Sequence, residues 1–279
     1  MTLAEAVREG EQLLEGAGVD TPRLDAELLA GKALGLTRTE LYLDPGRELS
    51  DDEAADLRAL FERRSRREPL AYVLGQWGFR RLMLTVDRRV LVPRPETEVV
   101  VERCLELLRG LDAPAVLDVG AGSGAIALAI ADEHPGARVT AIDVSEEALE
   151  VARENARTTG LEVTFELRDV RDGLAGSYDL VVSNPPYVTA EEIEGLEPEV
   201  RDWEPRTATV GDDHTEVIAA AAAEVLTPGG WLVLEVDDGR AGAVRRYLQE
   251  LGYREVRTDP DLTGRDRVVE GQWGRSTKP

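Results

Sequence analysis

A chain of 279 residues with 33 Lys and Arg against 55 Asp and Glu carries a formal net charge of −22. That length can bury a full α/β core and still carry a smaller domain, while that charge opposes nonspecific nucleic-acid binding, which lives on phosphate neutralisation. The lone cysteine, Cys104, excludes an intrachain disulfide; Cys and His show no metal-ligand pattern, and no apolar run reaches membrane-spanning length.

Met1 to Glu5 has no basic region leading into an apolar core, so a cytoplasmic protein is expected. Lysine is confined to Lys32 and Lys278. Two explanations compete for the acidity: a salty cytoplasm, where excess carboxylates keep the surface hydrated, and drift in a GC-rich genome, which also favours Arg over Lys.

Residues 1 to about 75 read as short amphipathic helices. Leu3, Val7, Leu13 and Leu14 mark the first, and Thr21-Pro22 opens the second through Leu24, Leu28 and Leu29. A third lies near Leu41, and Ser50-Asp51-Asp52-Glu53 has capping-box form before Leu57, Leu60 and Phe61. Pro69 is expected to end that helix. Without a reactive constellation of its own, the module 1–75 reads as a docking domain.

Residues 76–98 read as a linker. Trp77 to Leu84 and Val90 to Pro93 suggest the two strands of a connecting hairpin, and Pro93 to Glu98 starts the next helix with proline and acids in its first turn. Arg63, Arg64, Arg66, Arg67, Arg80, Arg81, Arg88, Arg89 and Arg94 fall close together. They are either solvated helix and strand surface or a patch facing an anionic partner.

From about residue 99 helix and strand alternate, as a doubly wound sheet requires. Strands are expected around Val116, Thr140, Phe165, Val181, Val233, Val256 and Val268, the last two as an antiparallel edge pair. Cys104 falls on an apolar helical stripe, and Gly274 to Pro279 reads as a loose tail.

Two motifs carry the chemistry. Val116-Leu117-Asp118-Val119 runs into Gly120-Ala121-Gly122-Ser123-Gly124, a turn that lets a cofactor approach the backbone. Read as G-x-G-x-G it suits an adenosyl cofactor; read as G-x-G-x-x-A, with Ala125 last, it suits a dinucleotide. Asp143, about 20 residues on, is placed to accept ribose hydroxyls in either case. The second motif, Asn184-Pro185-Pro186-Tyr187, follows the apolar run Tyr178 to Ser183. Its prolines stop a hydrogen-bonded ladder and leave the Asn184 carboxamide and the Pro185 carbonyl beyond the strand end. Two acceptors side by side can hold both hydrogens of a planar NH2 group, against which Tyr187 can lie flat. A nicotinamide enzyme has no use for such a pair. Its proton carrier would have to be His134 or His214, both read as solvated loop residues, so the combination favours methyl transfer to an amino nitrogen.

With these motifs the chain resembles the bacterial peptide chain release factor glutamine methyltransferases over nearly its whole length. The markers are Glu68 to Gly75, Val92 to Glu98, Asp118 to Gly124, Ser183 to Tyr187, Glu204-Pro205 with Thr207-Ala208, and Gly264 to Arg267. The resemblance implies an α/β fold: a seven-stranded doubly wound Rossmann-like methyltransferase sheet with an N-terminal helical domain and a connecting β-hairpin. It implies S-adenosyl-L-methionine as cofactor and, as substrate, the glutamine of the Gly-Gly-Gln loop of class I peptide chain release factors, methylated on its side-chain amide nitrogen. Domains 1–75 (docking), 76–98 (hairpin linker) and 99–279 (methyltransferase) are expected. By position, Gly120, Ala121, Gly122, Ser123 and Gly124 would line the methionine end of the cofactor, Asp143 would bind its ribose, and Asp169 and Val170 would border its adenine. Asn184, Pro185, Pro186 and Tyr187 would hold the substrate amide, with Asn184 also beside the cofactor and Asn184, Pro185 and Tyr187 at the reacting atoms. A monomer without metal, nucleic acid or membrane partner is expected.

The chain departs from the family at Asp237 and Arg240, where Gly and Gln commonly follow Glu235, and at His214, where glycine is usual. These departures bear on loop geometry and cofactor affinity rather than on the reacting atoms.

Overall fold

The computed structural model describes residues 1–211 and 213–274; the expected tail beyond Gly274 lies outside the described residues. The chain forms two compact units. One is Met1–Gln76 with Leu196–Trp203; the other is Trp77–Gly195 with the chain from Glu204 onward.

The first unit is helical: α1 (Leu3–Gly16), α2 (Pro22–Leu34), α3 (Arg38–Leu43), α4 (Asp51–Ser65) and α5 (Leu70–Leu74). Thr2, Thr37 and Ser50 close capping boxes with Glu5, Glu40 and Glu53, each worth about 1 kcal/mol. Leu3, Val7, Leu14, Leu29, Leu57 and Phe61 form the core. Gly10 lets α1 approach α4, because a Cβ there would overlap the Phe61 ring. The α4 helix ends at Ser65, ahead of Pro69, and Pro69 instead precedes the short α5, which Gly75 stops with φ 73°. The returning segment Leu196–Trp203 supplies Glu199, whose Oε1 accepts from Arg64 Nη1 at 2.7 Å while Arg64 Nε donates to Asp25 Oδ2 at 2.7 Å. Arg67 Nη2 donates to Glu199 Oε2 at 2.6 Å.

The chain continues with β1 (Gln76–Phe79), whose last three residues belong to the second unit, and within that unit β2 (Leu82–Thr85), α6 (Pro95–Leu107), β3 (Ala115–Val119), α7 (Ala125–Glu133), β4 (Arg138–Asp143), α8 (Glu146–Thr159), β5 (Thr164–Leu167) and β6 (Tyr178–Ser183). After the short helices α9 (Pro198–Arg201, in the first unit) and α10 (Arg206–Thr209) come α11 (His214–Val225), β7 (Leu226–Glu235), α12 (Ala241–Leu251), β8 (Tyr253–Pro260) and β9 (Asp266–Trp273). The seven-stranded sheet has the order β5-β4-β3-β6-β7-β9-β8. It is parallel except where β9 runs antiparallel to β7 and β8, so all seven expected strands and the edge pair are present.

Alternation along the strands builds the two faces. Val116, Leu180, Val182 and Val233 pack with Val100 and Val101 of α6, Ile126 and Ile130 of α7 and Leu149 of α8. Leu117, Val119, Val181 and Leu232 pack with Ile218 of α11 and Leu248 of α12. Cys104 is wholly buried on the first face, and burial raises its thiol well above the ordinary value. Because β3 has β4 on one side and β6 on the other, the chain order reverses there, and a crevice opens at the carboxyl ends of these strands.

The hairpin differs from expectation. Both its strands come from the run read as one, each reaching one residue beyond it, and are joined through Arg80, which takes φ 50°. Arg80 tolerates that conformation because its N–H donates to Glu98 Oε1 at 2.9 Å and its guanidinium engages Glu102 and Glu133. Val90 to Pro93 is not a strand, since Val92 N donates to Glu204 Oε1 at 3.3 Å instead of to a ladder.

The arginine-rich run is largely paired within its own unit: Arg63 with Glu68, Arg64 with Asp25 and Glu199, Arg67 with Glu199, Arg80 with Glu133, Arg89 with Asp87, and Arg94 with Glu204. Structural use, rather than an anion-facing patch, accounts for most of it.

Candidate active site

The glycine turn is built by backbone bonds. Gly120 N and Ala121 N both donate to Ile142 O at 2.9 Å, tying the end of β3 to β4. Gly120, Gly122 and Gly124 take φ of 86°, 53° and 81°, a region other residues enter at a cost of about 1–2 kcal/mol. Their surroundings differ. A Cβ on Gly122 would meet nothing within 4 Å, whereas one on Gly124 would press on Leu128 at 3.1 Å and Ala152 at 3.3 Å. Gly122 thus keeps a wall open, and Gly124 lets α7 start close to α8.

Asp143 ends β4 with its carboxylate held from two sides: Gly122 N donates to Oδ2 at 2.8 Å and Ser145 N to Oδ1 at 2.9 Å. Burial raises its pKa, and those N–H groups act in the opposite direction. Asp118, inside the sheet, accepts from Ala127 N at 3.2 Å through Oδ2, while its Oδ1 makes no hydrogen bond among the described residues. Burial pushes this carboxyl up to about 8.

On β6, Ser183 Oγ donates to Val119 O at 2.6 Å, locking the strand end against β3. The chain then turns out through Asn184. Asn184 Nδ2 donates to Thr97 Oγ1 at 3.2 Å, and Thr97 Oγ1 donates to Glu235 Oε2 at 2.7 Å.

A cavity of about 360 Å³ joins these elements, within the range that holds a small-molecule cofactor. Gly120, Ala121, Gly122, Ser123, Asp143, Asp169, Val170, Asn184, Pro185 and Pro186 all line it. Gly124 and Tyr187 do not. Gly124 is turned into the α7–α8 packing. Tyr187 is half-buried, its hydroxyl pushed up to about 12 by burial and the nearby Glu235 against the pull of Arg267 and Arg94.

The residues fit an adenosyl cofactor: an open glycine wall, a fixed carboxylate where a ribose would sit, and Val170 as an apolar border. Ala125 also lines the cavity, so loop geometry alone leaves the dinucleotide alternative open.

Comparison with known proteins closes it. The model described as PrmC N-terminal domain matches residues 5–75, and that described as Methyltransferase small domain matches residues 99–196. A release factor glutamine methyltransferase of Caulobacter vibrioides is 44% identical over 278 residues, 97% of this chain and 96% of that protein. The chain belongs to the release factor glutamine methyltransferases. Another member, from Deinococcus radiodurans, is 42% identical over 98% of this chain and 99% of its own. A SAM-dependent O-methyltransferase from Thermotoga maritima superposes with a TM-score of 0.51 at 16% identity, covering 69% of this chain and 70% of that one, a likeness of fold alone.

For a release factor glutamine methyltransferase, several residues at this site carried no expected role. Thr97 lines the cavity, and Glu235 is buried behind it. Thr97 lay in a quoted marker segment, but nothing local linked it to a glutamate at the end of a distant strand. Arg94 also lines the cavity and binds Glu204 at 2.7 Å. His214 is the first residue of α11 rather than a loop residue; it lines the cavity, and its buried Nδ1 makes no hydrogen bond among the described residues. Asp237 and Arg240 stay off the wall: Asp237 Oδ1 accepts from Gly239 N at 3.0 Å, and Arg240 donates to Glu192 at 3.1 Å. Of the expected loop around His214, Asp212 lies outside the described residues.

Proposed function

We propose that this protein transfers a methyl group from S-adenosylmethionine to the side-chain amide nitrogen of the Gly-Gly-Gln glutamine in class I release factors. The observation that carries the reading is the sharing of one cavity wall by the glycine turn and the Asn184-Pro185 acceptor pair.

Gly120 to Ser123 would hold the methionine end of the cofactor, Asp143 would accept ribose hydroxyls on the lone pairs its backbone donors leave free, and Asp169 and Val170 would flank the adenine. When bound, S-adenosylmethionine supplies a methyl group on a sulfonium, an electrophile ready for in-line attack. Everything else falls to the protein. An amide nitrogen is a weak nucleophile because its lone pair is shared with the carbonyl. Asn184 Oδ1 and the Pro185 carbonyl accept its two hydrogens, fix its plane and favour the positive charge that grows on nitrogen during transfer. Positioning and preorganised dipoles of this kind supply most of the acceleration. The methylated nitrogen is acidic and gives its surplus proton to solvent, so no dedicated base is needed at the strand end. Tyr187, off the cavity wall in this structure, is assigned to the flank of the bound glutamine.

The helical residues 1–75 are assigned to docking the release factor, 76–98 to the connection and 99–279 to catalysis. The protein is proposed to act as a cytoplasmic monomer without nucleic acid, in keeping with its charge of −22.

The test is transfer of labelled methyl to a bacterial release factor, run beside the same factor with its Gly-Gly-Gln glutamine changed to alanine. Label on the first alone is expected. Label on both, or on RNA or DNA in place of either, would overturn the reading.

A further inference from the structure

The chain Asn184–Thr97–Glu235 settles a question that the identity of Asn184 leaves open. A carboxamide can present either its oxygen or its NH2 to a substrate, and the two ends are nearly the same shape. Only the oxygen can accept hydrogens from a glutamine amide.

Thr97 is buried, 4% exposed, and Glu235 is 1% exposed. A hydroxyl has one proton to give. Thr97 Oγ1 gives it to Glu235 Oε2 at 2.7 Å, so toward Asn184 the same oxygen can only accept, and it takes a hydrogen from Nδ2 at 3.2 Å. The reversed carboxamide would set Oδ1 against a hydroxyl oxygen with no proton left, leaving both acceptors unsatisfied in a partly buried place. Such a loss costs about 1–3 kcal/mol, enough to bias the orientation by roughly ten- to a hundredfold.

We propose that Glu235 and Thr97 are positioning residues that hold the Asn184 carboxamide with its oxygen toward the substrate amide. The proposal rests on the methyl-transfer reading above and explains why a buried carboxylate stands behind the acceptor.

The relay depends on Glu235 being ionised. The groups facing it are Thr97 and Glu96 on α6, Arg94 just before that helix, Arg267 on β9 and Tyr187 beyond β6. Burial pushes its carboxyl up to about 7; the Thr97 hydroxyl, Arg267 and Arg94 oppose that push, and Glu96 adds to it. Once protonated, Glu235 can donate to Thr97 Oγ1. The threonine proton is then free to point at Asn184, and the reversed carboxamide is satisfied equally well. Near the pH at which Glu235 gains its proton half of the molecules have lost the preference, and below it the productively oriented share falls toward about one half.

The test compares wild type, Thr97→Val, Thr97→Ser and Glu235→Gln for methyl transfer to the release factor between pH 6 and 8.5. It reads kcat and KM separately, with S-adenosylmethionine affinity taken from equilibrium dialysis. Wild type should lose kcat as pH falls through about 7. Thr97→Val should lower kcat about twofold, the share left when neither carboxamide orientation is preferred, and lose that acid limb, with cofactor affinity within a factor of about two. Thr97→Ser should restore both rate and limb. Should the valine variant not fold, Glu235→Gln decides: loss of the limb supports the relay, and its persistence overturns it. A Thr97→Val enzyme with wild-type kcat, or a slow one that keeps the acid limb, also overturns it. If wild type itself places no label on the glutamine, it is the functional reading that falls.

Discussion

At the residue scale, the roles proposed for Asn184 and Asp143 are separable. Asn184 faces the cavity and its removal leaves the glycine turn untouched, so Asn184→Ala should keep S-adenosylmethionine affinity nearly intact and lower kcat by about 10²–10³, the range for losing one preorganised polar contact. Asp143 is bonded to the turn itself through Gly122 N. Asp143→Ala should therefore weaken cofactor binding about ten- to a hundredfold, the range for losing hydrogen bonds to a charged group, measured by equilibrium dialysis. Equal loss of cofactor affinity in both variants would mean the roles are wrongly assigned. Asp118 acts on stability instead. Its ordinary value is 3.8 and burial raises it to about 8 in the fold, so between those limits the native state holds a proton that the unfolded chain has released. Native stability from this group is then fully present below pH about 4 and declines as pH rises toward 8, by up to about 1.4 kcal/mol per pH unit. Glu235 adds a similar slope between its ordinary 4.5 and about 7. Asp118→Asn should remove its own share of the decline, read as urea midpoints at pH 5, 6 and 7; an unchanged slope would refute the burial argument. The residues that line the cavity were legible in the sequence where a motif is contiguous, as at Gly120 to Ser123 and Asn184 to Pro186. Thr97 and the Glu235 behind it were not, because the contact between them joins a helix start to a strand end 138 positions away.

At the element scale, the strands declared themselves through apolar runs, and the register of β3 against β4 and β6 delivers both motifs to the same end of the sheet. Short pieces were harder to read. The hairpin turn at Arg80 has no glycine or asparagine to announce a positive φ; it is held by carboxylates at Glu98, Glu102 and Glu133 that no local pattern connects to it. The α5 helix, five residues long, carries too little periodicity to register. The glycine turn illustrates what motif matching conceals. Its glycines share a backbone conformation but not a reason for it, and alanine substitutions should separate them. Gly122→Ala places a methyl group in open space beside the cofactor wall, so it should weaken S-adenosylmethionine binding and cost about 1–2 kcal/mol of stability from the positive φ alone. Gly124→Ala adds compression against Leu128 and Ala152 and should cost about 1–3 kcal/mol more, while touching the cofactor only indirectly. Urea midpoints and equilibrium dialysis on both variants would rank them. The reverse order in stability would show that the α7–α8 packing at Gly124 yields more easily than its geometry indicates.

At the scale of the whole molecule, charge is the property that neither the fold nor the site explains. The arginines do not offset the acidity at large, because most of those in the run from Arg63 to Arg94 are committed to particular carboxylates, several of them buried. The chain as a whole keeps a net charge of −22. Two effects of added salt then oppose each other. Screening weakens the exposed ion pairs, which are worth only about 0–1 kcal/mol each, and leaves partly buried ones such as Arg64–Asp25 and Arg94–Glu204 largely intact. It also weakens the mutual repulsion of the unpaired carboxylates, which acts over the whole surface and opposes the compact state. The screening distance falls from about 10 Å at 0.1 M to about 3 Å at 1 M salt, so the repulsive sum should shrink more than the paired attractions do. Thermal unfolding should therefore shift upward by several degrees, on the order of 5 °C, between 0.1 and 1 M NaCl, equivalent to about 1–2 kcal/mol for a chain of this size. Potassium chloride should act in the same way if screening is the cause. A fall in the midpoint would mean that surface pairs, rather than net repulsion, dominate, and it would favour genomic drift over adaptation to salt as the origin of the composition. A rise accompanied by higher methyl-transfer activity at 1 M salt would favour a salty cytoplasm, because there the protein would be working where its carboxylates cost it least.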